Sequence, residues 1–570
     1  MTIRRKVIPL EEAFMHATRL ASTLVALTFA SFFFPSGAAA AENAALTGKV
    51  SSAEEGSMEG VLVSAKRDGS TVTVTVVTDR DGRYSFPAGR LEPGHYSLRI
   101  RAAGYDLDRP VAGDVTAQKS ATVDLKLRKT EDLAAQLSNG EWLASIPGTD
   151  QQKTGLLNCL GCHTLERVVR SQHNADAFMQ VLPRMQAYVN QSIPAHPQLR
   201  RAERLMEERG DQRVQAQRQL ADYLATINLS KSPQWAYPLK SLPRPSGRGT
   251  RVVITEYDLG RETISPHDVI VDADGIAWYS SFGEPFLGKL DPKTGKVTEY
   301  PLPELKPGFP TGSLGLRAGP DGNLWLGMMY QAGIAKFDRK SEKLKVWSLP
   351  PEVNIDAAQV NMVSPQRSDV DGKVWTQNNG FAGIHRLDLA SGKIETFEPF
   401  RDAPKGEPHN IYDVIPDSGN NVYFTDFRHR HIGRVDAKTG EIKLYAAPTP
   451  ASAPRRGTMD ANDRLWFAEY RGNRVAVFDT RSEQFKEWPM PTAWTAPYDV
   501  ILDRNGEAWT GSMSTDRIVR LDTASGGMVE YLLPRSTNIR RVFVDNSTNP
   551  VTFWVGSNHG ASIVKLEPLD

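Results

Sequence analysis

The chain has 570 residues, with 68 basic against 67 acidic side chains, 40% apolar residues and 24% charged ones. That is the balance of water-soluble globular protein, long enough for about three or four domains. A net charge of +1 gives no field that would recruit nucleic acid or an anionic membrane, so neither is an expected partner.

Residues 1–41 carry Arg4, Arg5 and Lys6, then "LASTLVALTFASFFFP" and "SGAAAAEN". A basic start, an apolar run and small residues at its end read as a secretory signal, with cleavage at Ala40 or Ala41. The apolar run, about 15 residues, is shorter than the ~20 a spanning helix needs. The expectation is a periplasmic or otherwise exported protein with no stable transmembrane span once the signal is removed. The long stretch before the apolar run leaves an uncleaved anchor as the alternative.

Residues 42–129 alternate apolar and polar positions in "GVLVSAKR", "STVTVTVVTD", "GRYSFPA", "GHYSLRIRA" and "ATVDLKLRK", separated by Gly, Asp and Pro. Period-two runs broken by turn residues predict a small antiparallel sandwich. Asp79, Gly82, Tyr84 and Phe86, then Pro93, Gly94 and Tyr96, then Gly104 and Tyr105 resemble the pattern of the carboxypeptidase regulatory-like (transthyretin-like) domain. That resemblance implies an accessory module without chemistry of its own.

Residues 130–230 change period. "TEDLAAQLSNGEWLASI", "NADAFMQVLPRMQAYVNQSI", "PQLRRAERLMEERG" and "RVQAQRQLADYLATINL" space apolar residues three and four apart, which predicts helices in a small α-domain. Near its start stands "NCLGCH", with Cys159, Cys162 and His163. A zinc site would need two further ligands, and the chain holds no third cysteine. A redox dithiol would want a βαβ setting, whereas C-x-x-C-H in helical surroundings reads as covalent attachment of haem c, the thiols forming thioethers and His163 binding iron. The domain resembles cytochrome c domains, with Trp142 in an opening helix and "QLADYLATINL" as a closing one. By that resemblance Met185, 22 residues beyond His163, is the candidate distal ligand. Met179, Met206, His173 and His196 are rivals. Residues 231–250, "SPQWAYPLKSLPRPSGRGT" and its flank, read as a Pro/Ser/Gly-rich linker.

Residues 251–570 repeat. "PHDVIVDADGIAWYSSFGEPFLGKLDPKTGKVTEYPLP" returns six more times in varied form, marked by Trp278, Trp325, Trp375, Tyr423, Trp466, Trp509 and Trp554, 43 to 50 residues apart. Four short strands per repeat predict a seven-bladed β-propeller. The last repeat stops a strand short, and "RVVITEYDLG" at 251 supplies the spare that would close the ring. The fold class expected for the chain is therefore multidomain and mainly β: sandwich, small helical cytochrome c-like domain, propeller.

The blade pattern resembles the streptogramin lyase (virginiamycin B lyase) family. In that family a histidine and nearby carboxylates bind Mg²⁺ and remove a proton to open an ester, which needs a base and a cation for the developing charge. The resemblance implies His409 and Glu469 as catalytic residues, and Glu407 and Asp426 as possible Mg²⁺ ligands. His267, His429 and His431 are further candidates on the same rim. The match is incomplete: Asp426 stands for a glutamate, and Arg455 stands where a histidine is needed. The function expected first is electron transfer by an exported mono-haem cytochrome, its propeller binding a substrate or redox partner. A binding scaffold without catalysis and a Mg-dependent C–O lyase are the alternatives.

Overall fold

The structure is a computed structural model, and it describes residues 44–117, 119–200, 211–404 and 407–570. The expected signal and Met206 lie outside the described residues. Among the described residues no helix is long and apolar enough to cross a membrane.

The N-terminal sandwich is built as its alternation predicts. In Arg83–Pro87, Tyr84 and Phe86 are buried while Arg83 and Ser85 face water. The turn before it is held by Asp79, whose Oδ1 accepts from the backbone N–H groups of Asp81 and Arg83. Gly82 takes φ +73°, and a Cβ there would lie 2.7 Å from the Val50 carbonyl. That is the physical content of the D-x-x-G-x-Y-x-F pattern. Leu46, Val63, Phe86, Leu98 and Leu125 belong to its own apolar core.

Six four-stranded antiparallel sheets follow one another from Pro266 to Leu532. The seventh is completed by the N-terminal strand: Val252–Asp258 pairs along its length with Ser562–Pro568, from Val252↔Pro568 to Asp258↔Ser562. The same strand pairs on its other side with Val72–Val77 of the sandwich. The two parts thus share one eight-stranded sheet, which covers the edge the last blade would otherwise expose.

The repeated residues are local fasteners. In blade one Asp272 Oδ1 accepts from the N–H groups of Asp274 and Ile276, and Oδ2 accepts from the Trp278 indole at 2.7 Å. Asp460 with Trp466 and Asp503 with Trp509 repeat the indole contact at 3.0 Å. The glycine of the third strand has a different reason. A Cβ on Gly433 would sit 2.0 Å from the Phe424 ring. Gly433→Ala is expected to lower stability by roughly 1–3 kcal/mol through overpacking, read as a shift of the urea midpoint.

Among the described residues of the helical segment the α-helices are α1 (Asn139–Ser145), α2 (Asp150–Leu156), α3 (Glu166–Val169), α4 (Ala175–Ala187) and α5 (Asp211–Ile227). Ser138 and Glu141 form a reciprocal capping box at the start of α1. The expectation of a separate α-helical cytochrome domain is not met. Trp142, Leu156, Leu157 and Leu160 share one apolar cluster with Met329, Tyr412, Tyr470, Tyr498 and Met513 of the propeller. Short helices such as the four-residue α3 cannot enclose a core, so their apolar sides are buried on the ring. The approach is close: Gly140 N–H donates to the Ser514 carbonyl at 2.7 Å, and a Cβ there would meet Thr515 at 2.6 Å.

The linker is docked rather than free. Lys240 and Leu242 donate backbone N–H groups to Ser145 and Glu141. Arg244 donates to the Glu59 carbonyl, and Arg517 donates to that of Pro243.

Candidate functional site

The five residues of C-x-x-C-H lie where the helical segment meets the propeller. Cys159–Gly161 form a single 3₁₀ turn, and both cysteines are free thiols. Burial pushes the Cys159 thiol up to about 11 and raises that of Cys162 as well. A catalytic dithiol needs the opposite shift. His163 Nδ1 is 2.9 Å from the Thr164 carbonyl, which fixes the proton on Nδ1 and leaves Nε2 as the lone-pair nitrogen.

The propeller grips this loop by its carbonyls. Asn538 Nδ2 donates to Leu160 O at 2.9 Å, Arg540 Nη2 to Gly161 O at 3.1 Å, and Tyr470 OH to Leu157 O at 3.4 Å. His559, from the last blade, stands beside Gly161; burial and the Arg540 charge push its pKa down to about 3, so it is neutral. Neither of its ring nitrogens has a hydrogen-bond partner among the described residues. Nothing in the sequence marks His559, Asn538 or Arg540, because they reach the motif only through the closure of the ring.

The distal candidates are scattered. Met185 lies at the C-terminal end of α4 and is 36% exposed. Met179 lines a groove between α4 and α5 with Pro183, Gln186 and Val214. His173 is exposed and packs edge-on against Phe178, and His196 closes a turn with Ile193.

Beneath the loop, the first strands of blades one, four, five, six and seven each carry a register irregularity. A bulge lets two consecutive side chains serve one face. Here the pairs are His267–Asp268, Tyr412–Asp413, Arg455–Arg456, Tyr498–Asp499 and Arg540–Arg541. The first members meet across the axis. His267 Nε2 is 3.0 Å from Tyr498 OH, which also bonds Tyr412 OH. The Arg455 guanidinium lies over the rings of Tyr412, Phe427, Tyr470 and Tyr498 at 4.0 to 4.8 Å.

The second members form a buried ionic belt. Arg456 binds both oxygens of Asp268, at 2.6 and 2.9 Å. Arg317 binds both oxygens of Asp413, at 2.6 and 2.9 Å. Arg541 lies between Asp268 and Asp499. Burial alone would raise Asp268, but Arg456 holds it well below the carboxylate range.

The rim residues predicted as one cluster separate into three places. His267 belongs to the axis, where burial pushes its pKa down to about 3 against the pull of Asp268. His409 precedes the first strand of blade four, with Nδ1 2.7 Å from Asp426 Oδ2. Asp426 Oδ1 is taken by the Asn410 N–H at 3.0 Å. Asp426 therefore orients the His409 ring. Glu469 is not joined to that dyad. It is buried beside Glu487, and burial together with that second carboxyl pushes it up to about 8. Arg455 lies in its aromatic cage.

Around His409 the structure gathers Glu407, expected as a possible Mg²⁺ ligand, His429, a further candidate, and Phe400, which the sequence did not mark. The His409 ring stacks on Phe400 at 3.7 Å, and the His429 ring lies 4.5 Å away. Glu407, His409 and His429 each offer a ligand atom within 4.8 Å of the others. Two imidazoles and a carboxylate suit a borderline divalent cation better than Mg²⁺, which prefers oxygen donors.

Residues 45–128 match the carboxypeptidase regulatory-like domain, and residues 407–568 match the virginiamycin B lyase family. No curated protein matches the chain. Among solved structures, the chain is similar to virginiamycin B lyase from Staphylococcus aureus, with 25% identity over 55% of this chain and 99% of that one, at a TM-score of 0.47. A streptogramin B lyase gives 22% identity, 56% and 99% coverage, and a TM-score of 0.48. The mitotic checkpoint complex, at 12% identity, 57% and 97% coverage and a TM-score of 0.43, is also similar. The sandwich thus matches the carboxypeptidase regulatory-like domain, and the last four blades of the ring match the virginiamycin B lyase family.

Proposed function

We propose that the chain is an exported electron-transfer protein in which Cys159, Cys162 and His163 hold one haem c at the mouth of the propeller. The ring in turn binds a small-molecule substrate or a redox partner protein. The observation that carries this reading is the free thiol pair followed by a histidine whose Nε2 is disengaged. The donor set fits the group: two neutral thiols for thioether formation and one imidazole with a fixed tautomer. Haem bound there supplies one-electron chemistry. The chain's own residues do the rest. Cys159 and Cys162 anchor, His163 Nε2 ligates, and Leu156, Leu157 and Leu160 exclude water.

The full chain, expressed with its N-terminal segment in a host that matures c-type cytochromes, is expected to carry haem that survives denaturing electrophoresis. Cys159→Ser with Cys162→Ser should abolish that covalent signal. Recovery of well-folded parent protein without a reduced-minus-oxidised haem spectrum would sink the reading.

The Asp426–His409 dyad favours a second reading, a metal-assisted lyase at the rim. There His409 Nε2 would take the acidic proton while an ester C–O bond breaks to an alkene and a carboxylate. The helical segment covers the axis, so this chemistry would be confined to the Glu407–His429 side. Ring opening of a streptogramin-type ester with added divalent cation, lost in His409→Asn, is its test. A parent without turnover leaves the propeller as a binding scaffold.

A further inference from the structure

From the ring, His559, Arg455, Arg540 and Tyr470 approach the C-x-x-C-H loop, while Arg167 and Arg200 of the helical segment also act on His163 and Cys162. His559 is neutral. Arg455 is enclosed by four aromatic faces, its Nη2 3.3 Å from Tyr412 OH and its Nη1 3.1 Å from Met513 Sδ. Arg540 differs from both. It is 1% exposed, and its contacts are the Gly161 carbonyl, Met513 Sδ at 3.8 Å and the Tyr498 ring at 5.6 Å. Its Nε has no hydrogen-bond partner, and no carboxylate lies within ion-pair distance of it among the described residues. The belt directly behind it shows that the fold can pair buried arginines with aspartates. Like Arg455 it is, among the described residues, a buried cation without a carboxylate partner, but of the two it alone bonds the loop that carries both thiols.

We propose that Arg540 is a positioning residue that sets the reduction potential at His163 from inside the propeller, an inference that rests on the haem reading above. The physical reason is Coulombic. Oxidation of the iron adds one positive charge, and a fixed cation in a poorly screened interior opposes that addition. Arg540 thereby favours the reduced form and raises the potential. Its neighbour Asn538 holds the Leu160 carbonyl in the same way but brings no charge, so the two residues separate grip from electrostatics. The ring is then part of the redox centre, and a ligand that disturbs the blade-seven strand near Arg540 would be felt at the iron.

The test is redox titration of the full chain carrying its covalent haem. Arg540→Gln keeps a donor for Gly161 and removes the charge. At a fixed ambient potential near the parent's midpoint its reduced-to-oxidised ratio should fall at least ten-fold, which is a midpoint lower by about 59 mV for one electron. Arg540→Lys should stay near the parent. Since the charge is buried, the difference should persist at high salt, where a surface charge would be screened. Should the glutamine variant fail to mature, Arg540→Met is the second neutral variant, with the same expectation. A neutral variant at the parental potential overturns the proposal, and so does a lysine variant that falls as far as the neutral one. Absence of haem from the parent is a different result, and it removes the reading beneath.

Discussion

Arg456→Met should cost the folded chain about 3–5 kcal/mol, the penalty for leaving a buried charge without its partner. Arg456 is fully buried and makes a two-pronged contact with Asp268. Its Nε lies 3.8 Å from Asp413 as well. Methionine fills much of the space but strands Asp268, whose remaining cation is Arg541 at 3.5 Å. Because Asp268 also holds His267 at 2.7 Å and the Leu316 N–H at 2.9 Å, the loss should spread to the axis. Denaturant unfolding of the variant is the measurement. Arg401→Met is the control: Arg401 forms a surface pair with Glu398, which solvent screens to little effect on stability. If both variants shift alike, the belt is not what holds the blades together.

The belt also shows where a sequence stops being legible. The blades could be read because their fasteners are local: Asp272 to Trp278 spans six residues, and the turn and the indole lie within one hairpin. The closing strand could be read because it repeats a fourth-strand pattern. The dipeptides His267–Asp268, Tyr412–Asp413, Arg455–Arg456, Tyr498–Asp499 and Arg540–Arg541 were equally visible as letters. Their meaning depends on bulges that turn both side chains inward and on partners up to 379 residues away. Helical periodicity likewise shows that Trp142 and Leu143 need cover, but not that the propeller provides it. The expected rim cluster dissolved for the same reason. The position after a strand end tells which rim a residue is on, yet Glu469 meets Glu487 whereas His409 meets Asp426.

Glu469→Gln should stabilise the protein, and the gain should grow with pH. In the fold, burial and Glu487 hold the Glu469 carboxyl at about 8, against an ordinary value of 4.5. Below pH 4.5 the folded and unfolded chains both keep the proton, and the site costs nothing. Between pH 4.5 and 8 the unfolded chain releases the proton and the folded chain retains it, so stability falls as pH rises; above 8 both forms are ionised and the loss levels off. At about 1.4 kcal/mol per unit, the loss reaches roughly 3 kcal/mol at pH 7. Glutamine keeps the shape of the neutral acid and cannot ionise, so it should recover that amount at pH 7 and almost none at pH 4.5. Urea midpoints at pH 5 and 7.5 decide the matter. An equal gain at both would mean that packing, not ionisation, is at work. The same balance bears on chemistry. A carboxyl that stays protonated at neutral pH is a hydrogen-bond donor and a poor ligand for a cation. If the propeller rim is catalytic, the base is therefore to be sought in the Asp426–His409 dyad.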